Sequence, residues 1–349
     1  MPVSDKQLFE AWMEVLTLSE LQAGQSVTIL TSSNTHPQTL AMASLAAQHK
    51  GAIVNRLDLP PVNGEKSLTR DLLSYFGTTP LTGNKAALAA LKESDLVLDL
   101  MVLLFSKEQH EILAGGTKIL LAVEPPEVLV RMVPTQEDRA RVLKASARLR
   151  AAKEMRVTST AGTDVRFALG DFPILEEYGF TDKPGRWDHW PSGFLATWSN
   201  EGTAQGTIVL DRGDILLPQK SYVTEPVTLT VQNGYVTKIE GGLDADLLSE
   251  YMASFNDPES YAISHIGWGL QERAHWSVLS LYDREATTGM DGRAFAGNFL
   301  WSMGPNNEAG GTRECACHID IPMRNCTVTL DGEEMVVAGK VLPAGGGKA

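Results

Sequence analysis

The chain has 349 residues, 43% of them hydrophobic, with a formal charge of −13 at neutral pH. That length suits about two domains of roughly 100–200 residues each. The acidic balance argues against nucleic acid, which needs a basic face to release counterions.

Met1 to Gly24 is acidic and amphipathic, so it reads as a helix rather than a signal peptide. The most apolar run, Leu96 to Phe105, contains Asp99 and falls short of the ~20 residues that a membrane span requires. A cytoplasmic protein without a membrane partner is therefore expected. Only three cysteines occur, Cys315, Cys317 and Cys326, and they are expected to be free thiols.

From Ser26 the chain runs through an apolar strand, a polar loop at Ser32–Pro37, an Ala-rich helix to about His49, and a second strand after Gly51. This is a β-loop-α-β unit. Further apolar runs at Leu96–Leu104 and Lys118–Val123 lack polar alternation, as strands of a parallel sheet covered on both faces do. The loop after the first strand has no glycine to admit a pyrophosphate, so no nucleotide cofactor is expected. Residues 136–155 read as a linking helix. Residues 1–155 are thus predicted to form a doubly wound, Rossmann-like α/β domain.

After Arg156 the texture changes to alternating Val/Thr segments, Gly-containing turns and six of the seven tryptophans. Strands are expected at 156–159, 165–168, 206–210, 227–231 and 236–239, with Asn233-Gly234 as a tight hairpin turn. One helix is expected at about 244–255. Residues 156–349 are predicted to form an α+β catalytic domain with a large, mostly antiparallel sheet.

The segment Cys315-Ala-Cys317-His318-Ile-Asp320-Ile-Pro322 offers four metal-binding or nucleophilic side chains. Its β-branched residues and closing proline suit a strand over 315–321, which places His318 and Asp320 on one face and both cysteines on the other. Alone the pair is weak evidence, since a core histidine hydrogen-bonded to a neighbour is the commoner case, and plain packing is the favoured reading of the cysteines. His265 stands before the glycine-rich Ile-Gly-Trp-Gly, and Ser302 lies in Phe299-Leu-Trp-Ser-Met-Gly without a nucleophile elbow around it. Glu177 and His189 sit in Gly/Pro/Trp-rich stretches read as covering loops, as do Trp187 and Trp190.

Taken in order, Ala161–Phe167, Trp190–Phe194 with Glu201–Gly206, His265–Leu270, Trp301–Gly304 and His318–Asp320 resemble the C-terminal domain of the aminopeptidase T-like metallopeptidases. That resemblance implies two metals held by two glutamates, two histidines and an aspartate. The chain departs from it: Phe194 and His265 stand where the peptidases usually have Glu, and Ser302 stands at the place of one histidine. The bridging carboxylates that two adjacent cations need are missing. His265, His318 and Asp320 remain, the two-His-one-carboxylate set of non-haem Fe(II) oxygenases.

Length and pattern resemble the 2,5-dihydroxypyridine dioxygenase family. This implies Fe(II) as cofactor, cleavage of 2,5-dihydroxypyridine by O₂ to N-formylmaleamate, a homo-oligomer (a hexamer), and Ser302 as an added weak ligand. Open α/β sheets bind ligands at the carboxyl ends of their strands, so a pocket is expected between the domains at the end of the Leu96–Leu104 strand, with Leu104 and Phe105 facing the ring. A histidine is expected directly after the Leu-Leu pair, and here it is Phe105. Glu177 and His189 are the candidate acid–base or substrate-contact residues. The rivals are a two-metal aminopeptidase and a small-molecule binding module.

Overall fold

The structure is a computed structural model that describes residues 2–60, 79–103, 106–217, 219–284 and 286–343. Leu104 and Phe105 lie outside the described residues. The chain divides into two compact units, each discontinuous in sequence. One comprises Met1–Arg139, Glu177–Ser192 and Tyr282–Met290; the other comprises Ala140–Glu176, Gly193–Leu281 and Asp291–Ala349. A single boundary after residue 155 therefore gives way to a chain that returns twice to the first unit.

The first unit is built on a five-stranded sheet in the order Ile53–Asp58, Ser26–Thr31, Leu96–Asp99, Lys118–Leu121, Trp187–His189, with every neighbour parallel. Leu96–Asp99 and Lys118–Leu121 are buried at every position, which is why neither shows polar alternation. Both are shorter than the apolar runs that announce them. The edge strand Trp187–His189 explains the first return of the chain: Leu121 pairs with His189 across the ladder. His189 thus ends a strand, where a loop was expected.

Helix Asp5–Leu18 starts with a capping box in which Ser4 and Gln7 satisfy each other's backbone and side chain. Its Leu8, Trp12, Val15 and Leu16, spaced by three and four residues, form its buried face. Trp12 meets Trp190 edge to face at 4.8 Å, and the Trp190 indole donates to the Met132 carbonyl at 3.2 Å. Trp190 is therefore a core residue, and Trp187 packs against the cluster around Leu91, Val97 and Ile119.

The second unit holds most of helix Gln136–Ala151, two large sheets of mainly antiparallel strands and a two-stranded ribbon, Ile215–Leu216 with Ser221–Tyr222. The larger has eight strands in the order Tyr235–Gly241, Val227–Gln232, Gln205–Leu210, Asp164–Ala168, Glu154–Thr158, Thr327–Leu330, Glu333–Val337, Lys340–Val341. Three of its strands, Glu154–Thr158, Asp164–Ala168 and Val227–Gln232, alternate buried with half-buried or exposed residues, as a sheet covered on one face does. Asn233 and Gly234 both adopt positive φ (52° and 80°), the conformation a two-residue hairpin requires. The helix following this hairpin spans Leu243–Ala253.

The smaller sheet has five strands in the order Ile319–Met323, Phe299–Met303, Ile263–Gly269, Phe194–Trp198, Leu175–Glu177. Phe299 meets Phe167 of the larger sheet at 6.1 Å. Glu177 closes this last strand and so, like His189, lies in a strand rather than a loop.

Candidate metal centre

Three adjacent strands of the smaller sheet bring the candidate ligands together. Ser302 pairs directly with Asp320 on the neighbouring strand. On its other side the register shifts between Ile263 and Ile266, opposite Met303 and Trp301, so Ser264 and His265 together face the single residue Ser302. This is a β-bulge, which bends the strand and re-aims the extra side chain. The Ser302 hydroxyl accepts the His265 backbone N–H at 3.0 Å and holds the bulge in place.

His265 and Asp320 therefore sit two strands apart, about 10 Å by the usual strand spacing, yet their side chains meet. His265 Nε2 lies 2.8 Å from Asp320 Oδ1, and His318 Nε2 lies 3.0 Å from the same oxygen. The buried serine between them is short enough to leave that space open. The three donor atoms all fall within 4.8 Å of one another, and among the described residues no other cluster of His, Cys, Asp or Glu does so.

The second carboxylate oxygen is taken by Arg293, whose Nε donates to Asp320 Oδ2 at 2.7 Å. Arg293 comes from the short helix Met290–Ala294. Asn298 fixes that helix: its Nδ2 donates to the carbonyls of Gly292 (2.6 Å) and Arg293 (2.9 Å), while its Oδ1 accepts the Gly269 N–H at 2.6 Å, at the end of the His265 strand. Burial alone would raise the Asp320 pKa. Arg293 and the two histidines outweigh it and hold the carboxyl well below the usual range. Trp198, paired with His265 across the ladder, presents an edge-on ring at 6.1 Å.

Two donors at adjacent positions around one metal, with bonds of about 2.1 Å, lie roughly 3 Å apart. The spacings of 2.8 and 3.0 Å match that arrangement. Two imidazoles and one carboxylate held ionised suit a single divalent first-row cation. The residues present therefore fit such an ion. Asp320 supplies the only carboxylate of the set. Phe194, at the start of the neighbouring strand, is buried and offers no donor.

The strand expected over 315–321 begins at Ile319. His318 and Asp320 share a face as alternation requires, but residues 315–318 approach as irregular chain. The Cys317 N–H donates to Cys315 Sγ at 3.3 Å, which a flat strand would not allow. All three cysteines are free and buried, and burial pushes the Cys317 thiol up to about 12. They carry packing.

Glu177, where the smaller sheet's edge strand ends and the chain passes into the first unit, and His189, in the first unit, are both buried, and Glu177 Oε2 accepts the Ser192 hydroxyl at 3.0 Å. Arg293 and Asn298 were not foreseen. No spacing in the sequence links residue 293 to residue 320; only the turn of the chain through Asn298 does.

The whole chain has known counterparts. Residues 7–343 match the family model described as 2,5-dihydroxypyridine 5,6-dioxygenase. A protein of that name from Pseudomonas putida KT2440 is 52% identical over 342 residues, covering 98% of each chain. The solved structure of 2,5-dihydroxypyridine dioxygenase from that organism superposes with a TM-score of 0.95, at 52% identity and again 98% of both chains. Wild-type AmpT from Thermus thermophilus superposes over 97% of this chain with a TM-score of 0.65 at 11% identity, a likeness of fold alone. On the family match over nearly its full length, the chain belongs to the 2,5-dihydroxypyridine 5,6-dioxygenase family.

Proposed function

We propose that the chain cleaves the ring of 2,5-dihydroxypyridine with O₂, both oxygen atoms entering N-formylmaleamate, at one Fe(II) held by His265, His318 and Asp320. The observation that carries the reading is the convergence of two imidazoles and one ionised carboxylate in a chain of this family. When bound, Fe(II) supplies the unpaired electrons that let O₂ react with a closed-shell ring.

Arg293 takes one carboxylate oxygen, fixes the plane of the Asp320 side chain and leaves Oδ1 toward the histidines. Such an outer partner orients a ligand and tunes its basicity. Ser302 holds the bulge that aims His265, and its hydroxyl, beside Asp320 in the sheet, is the further weak ligand of this reading. Glu177 and His189 are assigned to substrate contact and proton transfer; the Ser192 bond restrains Glu177 in one orientation. Leu104 and Phe105 are assigned to the ring's apolar contact, where phenylalanine can stack but cannot relay a proton.

The doubly wound reading of the first domain is supported by its all-parallel strand order. A homo-oligomer, taken as a hexamer, accompanies this reading. A cytoplasmic location accompanies this reading; among the described residues no helix is long and apolar enough to cross a membrane.

The two-metal aminopeptidase reading is disfavoured because the cluster has a single carboxylate and Phe194 adds none. Loading the protein anaerobically with Fe(II), then adding 2,5-dihydroxypyridine and air, should consume one O₂ per ring with one iron per chain. Two zinc ions per chain, with hydrolysis of amino-acid anilides and no O₂ uptake, would overturn it.

A further inference from the structure

The first unit takes back one stretch of chain, Glu177–Ser192, which holds the pair assigned above to substrate contact and proton transfer. Glu177 starts the stretch, and His189 closes its edge strand, Trp187–His189. Next to His189 in that strand stands Asp188, which is fully buried.

An edge strand leaves outward N–H groups that need partners. Trp187–His189 pairs on its inner side with Lys118–Leu121, and the ladder ends where the Trp190 N–H donates to the Leu121 carbonyl at 2.8 Å. The His189 N–H donates instead to its neighbour's side chain, Asp188 Oδ1, at 2.8 Å. The same oxygen accepts the Gly179 N–H at 3.1 Å, while Oδ2 accepts the Tyr178 N–H at 3.1 Å and the Arg186 guanidinium at 2.5 Å. One carboxylate thus holds the backbone of His189 and of the two residues that follow Glu177.

The turn after Glu177 is shaped for this. Gly179 adopts φ +96°, and a Cβ there would stand 2.8 Å from Pro134 Cβ, so glycine alone fits where the N–H must reach the carboxylate. Arg186 braces the other side: it stacks over the Tyr178 ring at 3.7 Å, and its Nε donates to the Phe180 carbonyl at 3.2 Å. The Ser192 hydroxyl donates to Glu177 Oε2 at 3.0 Å. Glu177 is therefore held through the next residue's backbone and through its own carboxylate.

Stability alone does not account for a buried ion pair, because apolar residues of similar volume often serve a fold equally well. A carboxylate with four donors converging on it does something apolar packing cannot: it fixes the placement of each donating segment relative to the others. Acid–base groups need that, since misplacement by ~1 Å costs about 100-fold in rate.

We propose that Asp188, braced by Arg186, is the positioning residue that holds Glu177 and His189 in the mutual geometry the ring-cleaving reaction requires. This rests on the ring-cleavage reading and on the roles given there to Glu177 and His189. The acceptor sites of Asp188 are spent on the protein, so it acts through the pair.

A double-mutant cycle tests this in the Fe(II)-loaded protein, with O₂ uptake on 2,5-dihydroxypyridine as the rate. Asp188→Asn should lower kcat by about 30-fold or more, keep one iron per chain and speed hydrogen exchange at the Gly179 and His189 amides. In a Glu177→Gln or His189→Asn background, already slowed, the same change should cost about fivefold or less, because groups that act as a unit do not add. A merely structural defect would cost the same factor in every background. Should Asp188→Asn fail to fold, Arg186→Lys carries the cycle: about three- to tenfold alone, and about twofold or less in either background. Equal losses in all backgrounds, iron released by Asp188→Asn, or unchanged exchange would each overturn the proposal. Full turnover in Glu177→Gln and His189→Asn would instead overturn the roles of the pair, and the proposal with them. Absent O₂ uptake in the unaltered protein would mark failure of the ring-cleavage reading itself, which takes the proposal with it.

Discussion

Two buried carboxylates, one in each unit, are held in opposite ways. Asp320 faces Arg293 and two histidines, and these charges outweigh burial and keep it ionised. Asp99, at the end of its parallel strand, has no countercharge among its influences. It accepts the backbone N–H groups of Met101 (3.0 Å) and Leu103 (2.5 Å), and burial raises its pKa to about 6. The difference separates two tasks. A metal ligand must be anionic over the working pH range, whereas a carboxylate that shapes a turn needs only acceptor oxygens. The turn that Asp99 shapes is a demanding one, since Val102 adopts φ +69°, a left-handed conformation that a β-branched residue resists.

The largest effect expected is at Asp320. Replacing it with Ala removes a ligand and leaves the Arg293 charge buried without its carboxylate, a defect worth about 3–5 kcal/mol when a buried pair is broken. Iron content should fall below a tenth per chain and ring cleavage by at least ~1000-fold, with the denaturation midpoint lowered. Metal retained at full stoichiometry would place the ion elsewhere. Arg293→Lys should come next. It keeps the charge but loses the planar guanidinium, so iron affinity should weaken by about 10–100-fold, the usual cost of losing an outer partner. Competition with a chelator measures this directly.

Asp99→Asn tests the other half of the comparison. An amide offers one acceptor oxygen where two N–H groups need one each, so stability near neutral pH should fall by about 1–3 kcal/mol. The pH dependence has a definite sign. Between 3.8, the ordinary value, and about 6, the folded state holds the proton that the unfolded state has lost, so this group makes stability decline as pH rises through that window. The variant should lose that contribution. The urea midpoint at pH 7 minus that at pH 4.5 should be more positive in the variant than in the unaltered protein, and an unchanged difference would mean that Asp99 does not titrate there.

The fold was legible where one local rule was enough. Alternation marks the strands around Asn233-Gly234, and unbroken apolar runs mark Leu96–Asp99 and Lys118–Leu121. Trp187–His189 obeys neither rule: three residues with two polar side chains become a strand only because Leu121 and its neighbours offer an open edge. The triad was legible as residue types, but what makes it a site was not. The bulge that aims His265, the short Ser302 that leaves room, and Arg293 with its Asn298 brace depend on pairings across tens of residues. Asp188 is equally silent, since one aspartate between a tryptophan and a histidine has no distinguishing pattern.

The smallest effect is expected at Cys317, the residue nearest in sequence to His318 that should not matter to the metal. Its sulfur lies among Cys315 and Ser260, and its backbone N–H already ties it to the Cys315 sulfur. Cys317→Ala removes one buried sulfur and should cost about 1 kcal/mol through a small void, with iron stoichiometry unchanged and turnover within about twofold. Cys317→Ser is the sharper version. A hydroxyl in that buried place gains polarity, so the loss of stability should exceed that of alanine unless Ser260 accepts it. If either variant released iron while its denaturation midpoint stayed within 1–2 °C of the parent, the chain before Ile319 would be gripping His318 through the thiols. The bulge and Arg293 would then not suffice to build the centre.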